Sequence, residues 1–170
     1  MIIKQDVVNA MNAQIQSEFT ASAQYIAIAV YFDEEGLPDL AGFFYRQSDE
    51  ERMHAMKFVH FMLEAGAKPL IPGQPEVKNA FDSAADAVNY ALIQEMRVTE
   101  EINNLVSVAI ASQDHTSNQF LQWFVTEQVE EVDSMTTLLQ TIKHSAGNLL
   151  LVEEFVRRTM QAAAATAPAA

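Results

Sequence analysis

Apolar residues recur at alternating spacings of three and four through four long stretches of the chain. That period puts them on one stripe of an α-helix, the stripe a bundle buries. The first stretch covers residues 5–32 or slightly more, with the stripe Val8, Met11, Ile15, Glu18, Ser22, Tyr25, Ala29 and Phe32. The second ends near Gly66 and carries Leu40, Phe44, Gln47, Glu51, His54, Phe58, Phe61 and Ala65. The third begins near Asp82 or Ser83, either a suitable N-cap, and carries Val88, Leu92, Glu95, Thr99, Ile102, Val106, Ala109 and Gln113. After a polar turn at residues 114–117, the fourth carries Leu121, Phe124, Gln128, Glu131, Met135, Leu138, Ile142 and Ser145 and stops at Gly147. A short fifth helix is expected over residues 149–160, with apolar Leu150, Leu151, Phe155 and Val156. Arg157 and Arg158 form its basic end, as the helix dipole prefers.

The connections predict the topology. Residues 33–39 are a short turn with Gly36 and Pro38, which makes the first two helices antiparallel neighbours. Residues 66–81 hold Pro69, Pro72, Gly73 and Pro75 and are far longer than a hairpin needs. Extended, ~15 residues reach roughly 50 Å, and a helix of ~28 residues is roughly 42 Å long. The segment therefore reads as a crossover running the length of the bundle. The fold class is all-α: a four-helix bundle with a long crossover between its second and third helices, plus a short fifth helix. Residues 1–160 form one domain, and 161–170, an Ala-rich tail, are expected to be disordered.

Composition narrows the function. The absence of Cys excludes a disulfide framework, a zinc finger and a thiolate iron centre, and suits a cytoplasmic protein. No basic segment followed by an apolar run opens the sequence, so no signal peptide is expected, and no apolar run reaches membrane length. A formal charge of −13 repels nucleic acid and anionic membrane and attracts cations, so neither of the first two is expected as a partner.

The polar residues within the stripes carry the chemistry. Glu18, Glu51, His54, Glu95 and Glu131 each interrupt an apolar stripe near mid-helix, with Gln128 beside Glu131. Mid-helix residues meet at one level whatever the helix directions, so these groups converge on one buried point. Carboxylates crowded there raise one another's pKa, and a divalent or trivalent cation relieves the strain better than protons do. Oxygen ligands with a single imidazole suit iron or manganese more than zinc or copper. Glu51 lies between the two sides and is the natural bridge for two metals. Gln128 is open to two roles, as a ligand or as an amide hydrogen-bonded to a carboxylate. Tyr25 shares the face of Glu18 and is open to a core role or a redox one. His60, His115 and His144 show no partner pattern and read as surface or interface residues.

Several segments carry a resemblance. They are Glu18-Phe-Thr-Ala with Tyr25-Ile-Ala-Ile-Ala-Val-Tyr-Phe-Asp33, Glu50-Glu51-Arg52-Met53-His54-Ala55-Met56, Ile71-Pro72-Gly73, Gln122-Trp123-Phe124, Glu127-Gln128-Val129-Glu130-Glu131-Val132 and Ala146-Gly147-Asn148-Leu149. With them the chain resembles the non-haem bacterial ferritins, and is especially similar to the actinobacterial ones. The resemblance implies a ferritin-like bundle, a hollow shell of twenty-four copies, and ferroxidase activity. Ferrous iron is then oxidised by dioxygen or peroxide at a di-iron centre and stored as a ferric mineral. It assigns Glu18, Glu51 and His54 to the first iron, and Glu51, Glu95 and Glu131 to the second. It matches Glu50, Glu127 and Glu130, with Glu131, to a third iron site. Tyr25 matches a tyrosine beside the centre, and Asp114 with His115 fall where ferritins line a three-fold ion channel.

Two departures separate the chain from haem bacterioferritins. Gln128 and Glu131 stand where those proteins have a second Glu-x-x-His, and Arg52 stands where they have the haem-ligating Met. No haem is expected. The competing readings are a di-iron oxidase or oxygenase acting on an organic substrate, and a structural protein whose buried carboxylates are merely paired.

Overall fold

The computed structural model describes residues 1–160. Those residues form α1 (Gln5–Glu34), α2 (Pro38–Glu64), α3 (Ala84–Ala111), α4 (His115–His144) and α5 (Leu149–Phe155), then a π-helical turn at Val156–Met160, with no strand among them. The architecture is a ferritin-like four-helix bundle with a short fifth helix. The expected tail, 161–170, lies outside the described residues.

Helix directions follow from which residues share a core. One apolar cluster joins the C-terminal part of α1 (Ile28, Phe32) to the N-terminal parts of α2 (Leu40, Phe44) and α3 (Ala87, Val88) and the C-terminal part of α4 (Leu138, Ile142). A second cluster joins Met11 and Ile15 of α1 to Phe58 and Met62 of α2, Ile102 and Leu105 of α3, and Leu121 and Phe124 of α4. Helices α1 and α4 thus run one way, and α2 and α3 the other. Two successive helices in the same direction require the crossover. It climbs along α1, where the Leu70 N–H donates to Asn12 Oδ1 at 2.8 Å. Gln16 Nε2 then donates to the Gly73 carbonyl at 3.2 Å, and Gln24 Nε2 to the Lys78 carbonyl at 2.7 Å.

The ends refine the expected boundaries. Ser83 is the N-cap of α3, its Oγ accepting from the Asp86 N–H at 3.1 Å. Asp114 caps α4, so residues 115–117 form the first turn of that helix and not part of the expected loop. The turn before it has no glycine, and Gln113 takes the left-handed conformation with φ 54°. Gly66 occupies that region after α2, with φ 76°.

The fifth helix departs most from expectation. The α-helical hydrogen bonding ends at Phe155, and Leu150 and Leu151 are exposed while Val152, Glu153 and Val156 are buried. Glu153 explains the docking. Helix α2 begins at Pro38 without a side-chain cap of its own. The Glu153 carboxylate accepts from the Asp39 N–H at 2.9 Å and the Leu40 N–H at 2.7 Å, satisfying two orphan donors from another helix. Glu153→Ala is expected to lower stability by about 2 kcal/mol, the upper range for losing an N-cap with buried donors. Glu153→Gln, which keeps a carbonyl acceptor, should lose less. Thermal unfolding of both variants against the parent checks this, and equal melting temperatures would refute the capping role.

Candidate metal centre

The two apolar clusters are separated by a polar layer at the middle of the bundle. Glu18, Glu51, His54, Gln128 and Glu131 are 1–5% exposed, and Glu95 is fully buried. Each comes from the stripe its own helix turns inward, so burial of the apolar flanks carries the polar groups in with them. The groups converge. Ligand atoms of Glu18, Glu51 and His54 lie within 4.8 Å of one another, as do those of Glu51, Glu95 and Glu131. Glu51 belongs to both sets and stands between them.

The hydrogen bonding is incomplete in an informative way. Glu18 Oε1 accepts from Gln14 Nε2 at 3.0 Å, and Glu131 Oε2 from Gln47 Nε2 at 2.8 Å. Glu95 accepts from the Tyr25 hydroxyl, and its Oε2 from Gln128 Nε2 at 3.3 Å. Glu18 Oε2, both oxygens of Glu51 and His54 Nε2 have no hydrogen-bond partner among the described residues, though all are buried. His54 Nδ1 stands 3.5 Å from Glu51 Oε2, and the imidazole is held edge-on against Trp123 and Phe124. Buried polar atoms left bare cost about 1–3 kcal/mol each, more for charged groups. A cation between them removes that cost.

Electrostatics agree with the geometry. Burial, and then the neighbouring carboxylates, push Glu18, Glu51 and Glu131 well above the usual carboxylate range. Burial lifts Glu95 to about 7. Burial opposes charge on His54, but Glu127, Glu18 and Glu131 outweigh it and hold the imidazole above its ordinary pKa. The Tyr25 phenol is raised too, first by burial and then by Glu95.

Glu127 also approaches the centre. It joins His54 and Glu131 in a third convergent set, with its Oε1 3.8 Å from His54 Nε2. Glu50 and Glu130 do not enter any such set among the described residues, but line a cavity of about 390 Å³ with Glu127 and Glu131. Burial raises the Glu50 pKa. Asp114 is buried, and its two oxygens accept from the Ser117 and Lys4 N–H groups at 3.0 and 2.7 Å. That carboxylate is occupied by capping, whereas His115 is exposed.

A family model, the Ferritin-like domain, matches residues 8–145. The chain belongs to the ferritin family. It is 52% identical to Ferritin BfrB of Mycolicibacterium smegmatis over 92% of this chain and 88% of that one. It is 31% identical to a bacterial non-heme ferritin of Staphylococcus saprophyticus, covering 90% and 93% of the two chains. Among solved structures it superposes on an open pore ferritin from Archaeoglobus fulgidus with TM-score 0.89 and 32% identity, covering 91% and 96%.

Three residues of this ferritin's polar layer escaped the sequence reading as site residues. Gln14 and Gln47 each sit four residues before a centre glutamate on its own helix, and a polar residue one turn from a buried carboxylate was the available signal. Gln47 nevertheless serves Glu131 of α4, which no spacing along α2 reveals. Thr99, read as a stripe residue, donates to the Glu95 carbonyl at 2.8 Å and accepts from Gln128.

Protonation of the layer is linked to stability. Glu95 titrates near 7 when folded against 4.5 ordinarily, so the folded state binds more protons between those values. The stability it contributes is therefore present at low pH and lost as pH rises through about 7. The metal-free protein is expected to melt at lower temperature on the alkaline side of that window, with Glu95→Gln flattening the fall. Zinc, a redox-inert cation, should restore more stability on the alkaline side than on the acid side. Calorimetric melting temperatures across the window test this, and a melting temperature that rises with pH would contradict it.

Proposed function

We propose that the chain is the subunit of an iron store that oxidises ferrous iron at the mid-bundle centre. The observation that carries the reading is the bare set in the polar layer: three carboxylate oxygens and one imidazole nitrogen, all buried and without hydrogen-bond partners among the described residues. Names of the relatives point the same way. In this reading Glu18, Glu51 and His54 hold one ferrous ion and Glu51, Glu95 and Glu131 the other, with Glu51 shared.

The chain's residues account for the chemistry. Anionic oxygen ligands favour ferric over ferrous iron, which drives electron loss. Two ferrous ions each give one electron to dioxygen, which takes up two protons and leaves as hydrogen peroxide. Gln14, Gln47 and Gln128 orient the outer carboxylates, and Tyr25 fixes Glu95 through its hydroxyl. Gln128 has its amide nitrogen on Glu95, which favours the orienting role over ligation. A single imidazole leaves the Glu95–Glu131 side weakly held, so its ferric product can depart for the acidic cavity. There Glu127, Glu130 and Glu50 form a third iron site on the way to storage. The assembly is a hollow cytoplasmic shell of twenty-four copies.

Replacing the bridge and its imidazole together, Glu51→Ala with His54→Ala, is expected to slow ferrous oxidation at least about a hundredfold, the scale seen when a key electrostatic group is removed. Stopped-flow absorbance after aerobic ferrous addition measures it, and sizing reports whether the shell persists. Oxidation at the parent rate in that variant would overturn the two-iron assignment. A parent shell that takes up no more than two irons per subunit would overturn storage.

A further inference from the structure

Glutamines of the polar layer stand in the walls of three cavities among the described residues. Gln47 lines the acidic cavity and holds Glu131. Gln14 lines a cavity of about 180 Å³ between α1 and α3 and holds Glu18. Gln128 lines a cavity of about 510 Å³ between α3 and α4 and holds Glu95.

Their walls differ in chemistry. The first carries Glu50, Glu127, Glu130 and Glu131, and the second carries Glu101 and Asn104. The third offers mostly apolar surface, from Val125, Val129 and Val132, beside the uncharged Thr99, Asn103 and Thr136, and Asp133, its one carboxylate, is exposed. A hydrated ferrous ion gains nothing from valines, whereas a neutral diatomic gas prefers an apolar wall.

We propose that the α3–α4 cavity is the entry route for dioxygen, and that Gln128 is the gate between it and the Glu95–Glu131 side of the centre. The proposal rests on the ferroxidase reading. Gln128 suits a gate because its contacts are loose: Nε2 lies 3.3 Å from the Glu95 carbonyl, 3.3 Å from Glu95 Oε2 and 3.4 Å from Thr99 Oγ1. These lie beyond the usual N–H···O range, so a rotation of the amide gives up little. Thr99 stays in place through its 2.8 Å bond to the Glu95 carbonyl and receives the amide when it returns. Ferrous ions and dioxygen then approach the centre from different sides of α4, the ions past carboxylates and the gas past valines.

The test fills the cavity without touching the centre. Val129 is 69% exposed and Val132 half-buried, so Val129→Phe with Val132→Phe adds bulk where the fold tolerates it. In the assembled protein, the dioxygen concentration giving half-maximal ferrous oxidation is expected to rise roughly tenfold, about 1.4 kcal/mol of added barrier. Anaerobic ferrous binding and oxidation driven by hydrogen peroxide should match the parent, because peroxide is polar and does not depend on an apolar wall. An unchanged dioxygen dependence, or an equal slowing with peroxide, overturns the route. Should the filled variant lose ferrous binding, Val129→Ala with Val132→Ala decides: the wider cavity must lower the half-maximal dioxygen concentration, and a parent value counts against the route. Crystals of the parent under xenon should show the gas beside Val125, and none there also counts against it. A parent that oxidises iron no faster than the Glu51→Ala, His54→Ala variant removes the ferroxidase reading itself, a separate failure.

Discussion

Carboxyl groups held together out of water are the constraint on which the rest of this bundle depends. Glu18, Glu51, Glu95 and Glu131 occupy one layer with a single imidazole between apolar clusters above and below. Left alone, each must keep its proton at a pH where it would ordinarily release it. The fold accepts this because each helix carries the apolar residues of both flanking clusters on the same stripe as its glutamate. Any helix that turned its glutamate outward would expose Phe32, Phe44, Phe58, Ile102 or Leu121 with it. Apolar burial thus enforces an arrangement whose cost a bound cation would relieve.

The surrounding polar side chains limit that cost without abolishing it. Gln14, Gln47, Gln128 and Tyr25 each satisfy an oxygen of an outer carboxylate. Glu51 and His54 receive none of this help, although they stand at the centre. A layer in which every oxygen was satisfied internally would be a stable polar core with no need of a ligand. The contrast between the supported rim and the bare middle is what a cation site would show and a self-contained buried network would not.

Distant features hold this geometry in place. The crossover steps along α1 through Asn12, Gln16 and Gln24, which lets α2 and α3 run in the same direction. Glu153 ties α5 to the start of α2, and residues just beyond it, Phe155, Thr159 and Met160, close over the acidic cavity. The fifth helix is therefore connected both to the frame and to the space beside the centre.

Helix number, the crossover and the level of the centre were legible in the sequence because each follows from local period and chain length. A glutamate in an apolar stripe is visible at any resolution, and four at mid-helix leave one way to meet. The tertiary structure alone decided which amide serves which carboxylate, since Gln47 of α2 reaches Glu131 of α4 while Glu51, one turn from it, goes without. It also decided the docking of α5, where the buried residue is Glu153 and the leucines Leu150 and Leu151 face outward. Hydrophobic period cannot reveal that helix's role, because first-turn N–H groups of another helix draw a charged residue inward as their acceptor. The partners of polar groups are set by helix directions and rotation about the bundle axis, and spacing along one chain segment carries neither.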